Sequence, residues 1–161
     1  MKFIKTFLLT FLLVALYACN QVRDDVVVIK ITPEVYSDLY PAVWLRTSDL
    51  SISPIEFKNS RPTGEKYEIW IEPDDPEIMA NRNSADGIKG FSLVGKDKDA
   101  FDNYKQPDSL RFTGRLSRSE IRSGSVYLYE NARGKFLMFV ESVSKKESTM
   151  ILHWKKVQSK K

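Results

Sequence analysis

A chain of 161 residues, 42% of them hydrophobic, is sized for one globular domain with a substantial core. Its single cysteine excludes an intrachain disulfide framework, and its single histidine excludes a His-rich zinc centre, which takes two or three imidazoles. The net charge of +4 is unevenly spread: residues 19–108 carry 17 Asp+Glu against 11 Lys+Arg, residues 109–161 carry 4 against 12.

The N-terminus opens with Lys2 and Lys5, followed by an apolar run from Phe7 to Ala18 broken only by Thr10. A charged start, a short apolar segment and a small residue before a cut site make a secretory signal. From Thr6 to Ala18 the run is thirteen positions long, short of the roughly 20 residues a spanning helix needs. Extending it to Phe3 places Lys5 in hydrocarbon, at a cost of about 3 kcal/mol near mid-bilayer.

Leu16-Tyr17-Ala18-Cys19 resembles the lipobox of bacterial lipoproteins: an aliphatic residue, a variable one, a small one, then cysteine. The resemblance implies cleavage between Ala18 and Cys19, an S-diacylglycerol thioether on Cys19 and acylation of its new amino group. Each buried CH₂ contributes about 0.8 kcal/mol, so two or three long chains anchor a protein durably where one does so only marginally. Asn20 stands where an Asp commonly retains enterobacterial lipoproteins in the inner membrane. The resemblance therefore implies the periplasmic face of the outer membrane, with the outer face of the cytoplasmic membrane as the alternative. The expected partners are the membrane, through lipid on Cys19, and an envelope protein; nucleic acid is not expected at this address.

The expected organisation is a cleaved signal over 1–18, a lipidated N-terminus and tether over 19–25, one β domain over 26–157 and a basic tail over 158–161. The tether spans at most about 20 Å when extended. Strands are expected at 26–31, 42–47, 50–58, 66–72, 88–94, 110–116, 125–130, 135–143 and 149–157. They are rich in β-branched and aromatic residues, alternate in polarity and are bounded by turn residues. In 66–72 the alternation puts Tyr67, Ile69 and Ile71 on one face and Glu68, Trp70 and Glu72 on the other. Prolines and asparagines in 74–84 read as a crossing loop. The last three strands form an antiparallel meander, whose middle member is continuously apolar from Phe136 to Val140 and so calls for cover on both faces. Helix is expected only over 97–104 and, for one turn, 119–122. The fold class is an all-β antiparallel sandwich, with a lipocalin-like or other small β-barrel as the alternative.

Chemistry is sparse. His153 is expected on a strand face with Ile151 and Lys155, opposite Met150, Leu152 and Trp154, as a surface or interface residue. No serine sits in a Gly-x-Ser-x-Gly elbow. The acidic run Glu72-Pro73-Asp74-Asp75-Pro76-Glu77 and the set Asp97, Asp99 and Asp102 are read as solvated loops. The latter fails the EF-hand pattern at Phe101. No catalytic residue, metal ligand or cofactor is assigned. The basic C-terminal half suits anionic headgroups or an acidic partner, unless the two halves interleave in the fold. Tyr127 and Tyr129, on the strand face away from Val126 and Leu128, are the expected binding face, together with Arg111. The functional expectation is a non-enzymatic protein-binding module: an inhibitor, an immunity-type protector or an assembly accessory. The alternatives are a carrier with a cavity inside a β-barrel and, third, a hydrolase using the acidic loops.

Overall fold

The computed structural model describes residues 26–36, 40–58, 61–63, 68–81 and 87–158. The expected signal, the lipobox residues Ala18 and Cys19, the tether and Lys160-Lys161 lie outside them.

The described residues form twelve strands: β1 (Val27–Ile31), β2 (Val43–Leu45), β3 (Ile52–Pro54), β4 (Glu56–Lys58), β5 (Arg61–Thr63), β6 (Ile69–Glu72), β7 (Glu77–Ala80), β8 (Gly90–Gly95), β9 (Arg115–Leu116), β10 (Val126–Asn131), β11 (Gly134–Ser144) and β12 (Thr149–Lys156). A short α-helix, α1 (Lys98–Asp102), follows β8, and a single 3-10 turn (Pro33–Val35) follows β1. The first sheet has the order β1-β12-β11-β10-β8 and the second β3-β2-β6-β7-β9, while β4 and β5 pair as a separate hairpin. All pairings are antiparallel.

The two five-stranded sheets stack as an open sandwich, so the fold is all-β and the barrel alternative is set aside. Among the described residues, backbone pairing links them along one side. Phe91 of β8 bridges Thr113, and the same segment continues into β9 against β7. On the far side, among the described residues, β1 and β3 each pair with one neighbour. The junction needs Gly90: at φ +100° its Cβ would lie 2.2 Å from the Thr113 carbonyl oxygen.

Between the sheets, alternate residues of each strand point inward. Ile29, Phe91, Tyr129, Met138, Leu152 and Trp154 of the first sheet meet Val43, Leu45, Ile69, Ile71, Ile78 and Leu116 of the second in one contiguous apolar cluster. The meander is present as expected, and its middle strand is covered twice. Phe136, Met138 and Val140 face this cluster, while Leu137 and Phe139 pack on the opposite face with Val126, Leu128 and Phe101 of α1.

Three segments depart from expectation. Of the crossing loop expected over 74–84, the described part is instead a turn at 73–76 followed by β7, whose inward Ile78 and Ala80 follow strand alternation, and 82–84 lie outside the described residues. Pro73 and Pro76 sit in the turn, where proline removes no ladder bond. The strand expected over 110–116 is reduced to β9 and the Thr113 bridge, with Leu110 and Phe112 packing on the outer cluster beneath α1. The run 50–58 breaks into β3 and β4 after Pro54.

The aspartates near residue 100 are consumed locally. Asp97 caps α1 by accepting from the Ala100 N–H at 2.8 Å, Lys98 pairs with Asp102 at 2.6 Å, and Asp99 accepts from the Asn103 amide at 2.6 Å. The turn expected at 119–122 is closed by Ser117 and Glu120, whose carboxylate accepts from both the Ser117 N–H and hydroxyl. Those bonds hold its pKa below the usual carboxylate value. Among the described residues no helix is long and apolar enough to cross a membrane.

Candidate functional site

The expected binding face is not where the sequence placed it. Tyr127 and Tyr129 do share a strand face, but that face is the interior: they are 2% and 0% exposed. Tyr127 donates to the Glu120 carbonyl at 2.5 Å, and burial pushes its phenol pKa up. Tyr129 lies among Phe91, Phe136 and Trp154 with ring centroids 5.0, 6.4 and 6.3 Å away. Only Arg111 is exposed, and the three residues form no common surface. Burying a phenol is favourable where its ring finds aromatic partners.

Aromatic side chains gather instead on the outer face of the second sheet. Register places Trp44 of β2 opposite Trp70 of β6, Trp70 opposite Met79 of β7, and Met79 opposite Arg115 of β9. This row crosses four strands because in each the neighbouring residues (Val43 and Leu45, Ile69 and Ile71, Ile78 and Ala80, Leu116) point into the core. It lines an open groove of about 360 Å³ together with Asn81.

The aromatic part of the row is tightly positioned. Trp44 and Trp70 meet edge to face at 5.2 Å and 87°, and Tyr40 meets Trp70 at 5.3 Å and 74°. The Tyr40 hydroxyl donates to Glu72 Oε2 at 3.1 Å and the Trp70 indole N–H to the same oxygen at 3.4 Å. Partial burial raises the Glu72 pKa, against the lowering effect of those two donors. At the other end of the row, Arg115 forms an ion pair with Glu77 while its side chain stays 66% exposed.

The acidic run therefore separates by role. Glu72 serves the aromatic cluster, Glu77 serves Arg115, and Asp74 accepts from the Asp75 N–H within the turn. Among the described residues no three His, Cys, Asp or Glu side chains converge as a metal set. His153 lies on the outer face of the first sheet as the alternation indicated, with Met150, Leu152 and Trp154 inward. It pairs with Glu141 and packs against the rings of Phe139 and Phe101, at 5.6 and 6.4 Å.

Trp44 and Met79 were not singled out from the sequence. The signal for Trp44 was present in Ala42–Leu45, where an aromatic residue occupies the outward position between Val43 and Leu45. For Met79 it was masked by the flanking prolines and asparagines. The fold and its outer-face row thus define a β-sandwich with an aromatic groove on one sheet. Comparison with protein-family models, curated proteins and solved structures finds no match to this chain.

Proposed function

We propose that this chain is a lipid-anchored envelope protein, acylated on Cys19, that acts as a non-enzymatic protein-binding module through the outer face of its second sheet. The lipobox-like Leu16-Tyr17-Ala18-Cys19 supports the anchor, and Asn20 favours the periplasmic face of the outer membrane. The observation that carries the binding role is the half-buried pair Trp70 and Met79 with exposed Arg115 along one groove, backed by Trp44, which is itself buried against Ala42 and Ile55. Tryptophan, methionine and arginine are the residue types enriched in interface centres, and tryptophan and arginine dominate their energetics. Rings already fixed edge to face, with Trp70 tied to Glu72, have little side-chain freedom left to lose on binding. The contiguous cluster between the sheets favours a binding surface over a ligand-carrying interior.

Two measurements test this. The intact mass of protein purified from its native envelope should show loss of residues 1–18 and acyl chains on Cys19; a bare thiol with the leader attached refutes the anchor. A photo-crosslinking residue at position 79 should give one discrete protein adduct, identified by mass spectrometry and lost in Trp70→Ala. No adduct, or one that survives Trp70→Ala, refutes the binding face.

A further inference from the structure

The first sheet gathers five strand ends at the point where the chain enters from the tether. Val27 lies opposite Trp154, so β12 finishes beside the start of β1. Phe136 lies opposite Lys156, Asn131 opposite Gly134 and Glu130 opposite Gly90, which brings the start of β11, the end of β10 and the start of β8 to the same end. An open pocket of about 830 Å³ occupies this end, lined in part by Tyr104, Lys105, Arg133, Lys135 and Lys156.

Its charge is lopsided. Glu130 is the one carboxylate in the lining, and Lys89 neutralises it at 2.5 Å. Arg133 is held by Glu68 at 2.9 Å with its side chain still 42% exposed. Lys135 donates to the neutral Gln106 side chain at 2.7 Å. Among the described residues, Lys105, Lys135 and Lys156 have no carboxylate partner. Unneutralised lysines around one concavity focus a positive potential there, and phosphate is the anion such ammonium groups bind as point charges.

Position supplies the occupant. Six residues, Asn20 to Asp25, separate Cys19 from Val26, and they reach at most about 20 Å. Asp24 and Asp25 of that stretch are partly offset by Arg23, and the tail adds Lys160 and Lys161. A lipid on Cys19 therefore brings the pocket to headgroup distance, where each basic side chain is attracted to an anionic leaflet over about one Debye length. We infer that this pocket takes the phosphate of an anionic phospholipid headgroup, docking the sandwich end-on against the leaflet that holds its own anchor. The inference rests on the lipoprotein reading above.

The test uses the full, natively processed lipoprotein reconstituted into vesicles of phosphatidylcholine alone or mixed with phosphatidylglycerol, with an amine-reactive label read residue by residue. Labelling of Lys105, Lys135 and Lys156 should fall roughly fivefold in the phosphatidylglycerol vesicles. High salt should restore it, as should Lys135→Glu with Lys156→Glu, read at Lys105. The pair Lys145→Glu and Lys146→Glu, in the turn at the opposite end of the sheet, should leave the protection intact. Equal labelling in both lipids overturns the inference. Equal protection by inorganic phosphate in neutral detergent overturns the headgroup as its source. A bare Cys19 in the intact mass overturns the underlying anchor reading and is read independently of any label.

Discussion

Glu68 and Arg133 join the two sheets through a carboxylate that is 0% exposed and a guanidinium at its rim, 2.9 Å apart. Glu68 precedes β6, and Arg133 lies in the turn between β10 and β11. The Thr47 N–H donates to the second Glu68 oxygen at 2.6 Å, Asn131 donates to the Thr47 hydroxyl at 3.1 Å, and the Arg133 N–H donates to the Asn131 side chain at 2.9 Å. The network closes a ring from one sheet to the other.

Arg133→Met should therefore destabilise the fold by about 2–3 kcal/mol, because it strands a buried carboxylate with one remaining donor. The loss stays below that of a fully buried pair since the arginine is partly solvated. Adding Glu68→Gln should recover part of it. Urea unfolding of the two single variants and the double variant measures the coupling, and strictly additive losses would contradict it.

Tyr36 makes alkaline pH a probe of the opposite end of the first sheet. Its hydroxyl donates to the Ser148 carbonyl in the turn between β11 and β12. Burial, and then the charges of Asp74 and Glu34, raise its pKa to about 12. Unfolding restores an ordinary phenol near 10, so above that value the unfolded chain loses its proton first. The stabilisation is complete below pH 10 and is lost as pH rises toward 12. Stability measured from pH 9 to 12 should show this falling limb, and Tyr36→Phe should make it shallower, leaving the share of the other raised phenols, Tyr40, Tyr104 and Tyr127.

Strand alternation made most of this architecture legible from sequence. Where one face is apolar, as in Ile69 and Ile71 against Trp70 and Glu72, period two assigns both faces. The double cover of Phe136 to Val140 followed from its lack of alternation. What alternation cannot assign is which face meets a second sheet when both carry apolar residues. Tyr127 and Tyr129 oppose Val126 and Leu128, and all four are buried, the tyrosines between the sheets and the aliphatics beneath α1. The groove was hidden for a different reason. Trp44, Trp70, Met79 and Arg115 come from four strands, and cross-strand register is fixed by turn geometry and core packing across the 72 residues from Trp44 to Arg115.

Gly90→Ala should be among the most damaging small substitutions. The new methyl group meets the Thr113 carbonyl at 2.2 Å on a backbone with φ +100°, so both the clash and the conformation oppose it. The Phe91 N–H to Thr113 carbonyl bond at 2.8 Å and its reciprocal join the sheets there and would have to open. A loss of about 2–4 kcal/mol is expected. Gly87→Ala, whose added Cβ meets nothing closer than the Ala132 methyl at 3.8 Å, is the comparison for backbone strain without the clash.

Phe101 is the only buried residue of α1, and it decides whether the outer face of the first sheet stays covered. Its ring lies 5.8 Å from Phe139, and the ammonium groups of Lys98 and Lys155 sit 5.1 and 4.8 Å from its centroid. A five-residue helix has no stability of its own, so Asp97 capping and this one anchor must hold it. Phe101→Ala should cost about 3–5 kcal/mol. It should also release Lys155, which is 5% exposed and donates to the Asp102 carbonyl at 3.3 Å. Amide exchange then separates two outcomes: protection lost from 97–103 alone marks undocking of the helix, whereas loss spreading into β10 and β11 would mean that the sheet depends on its cover.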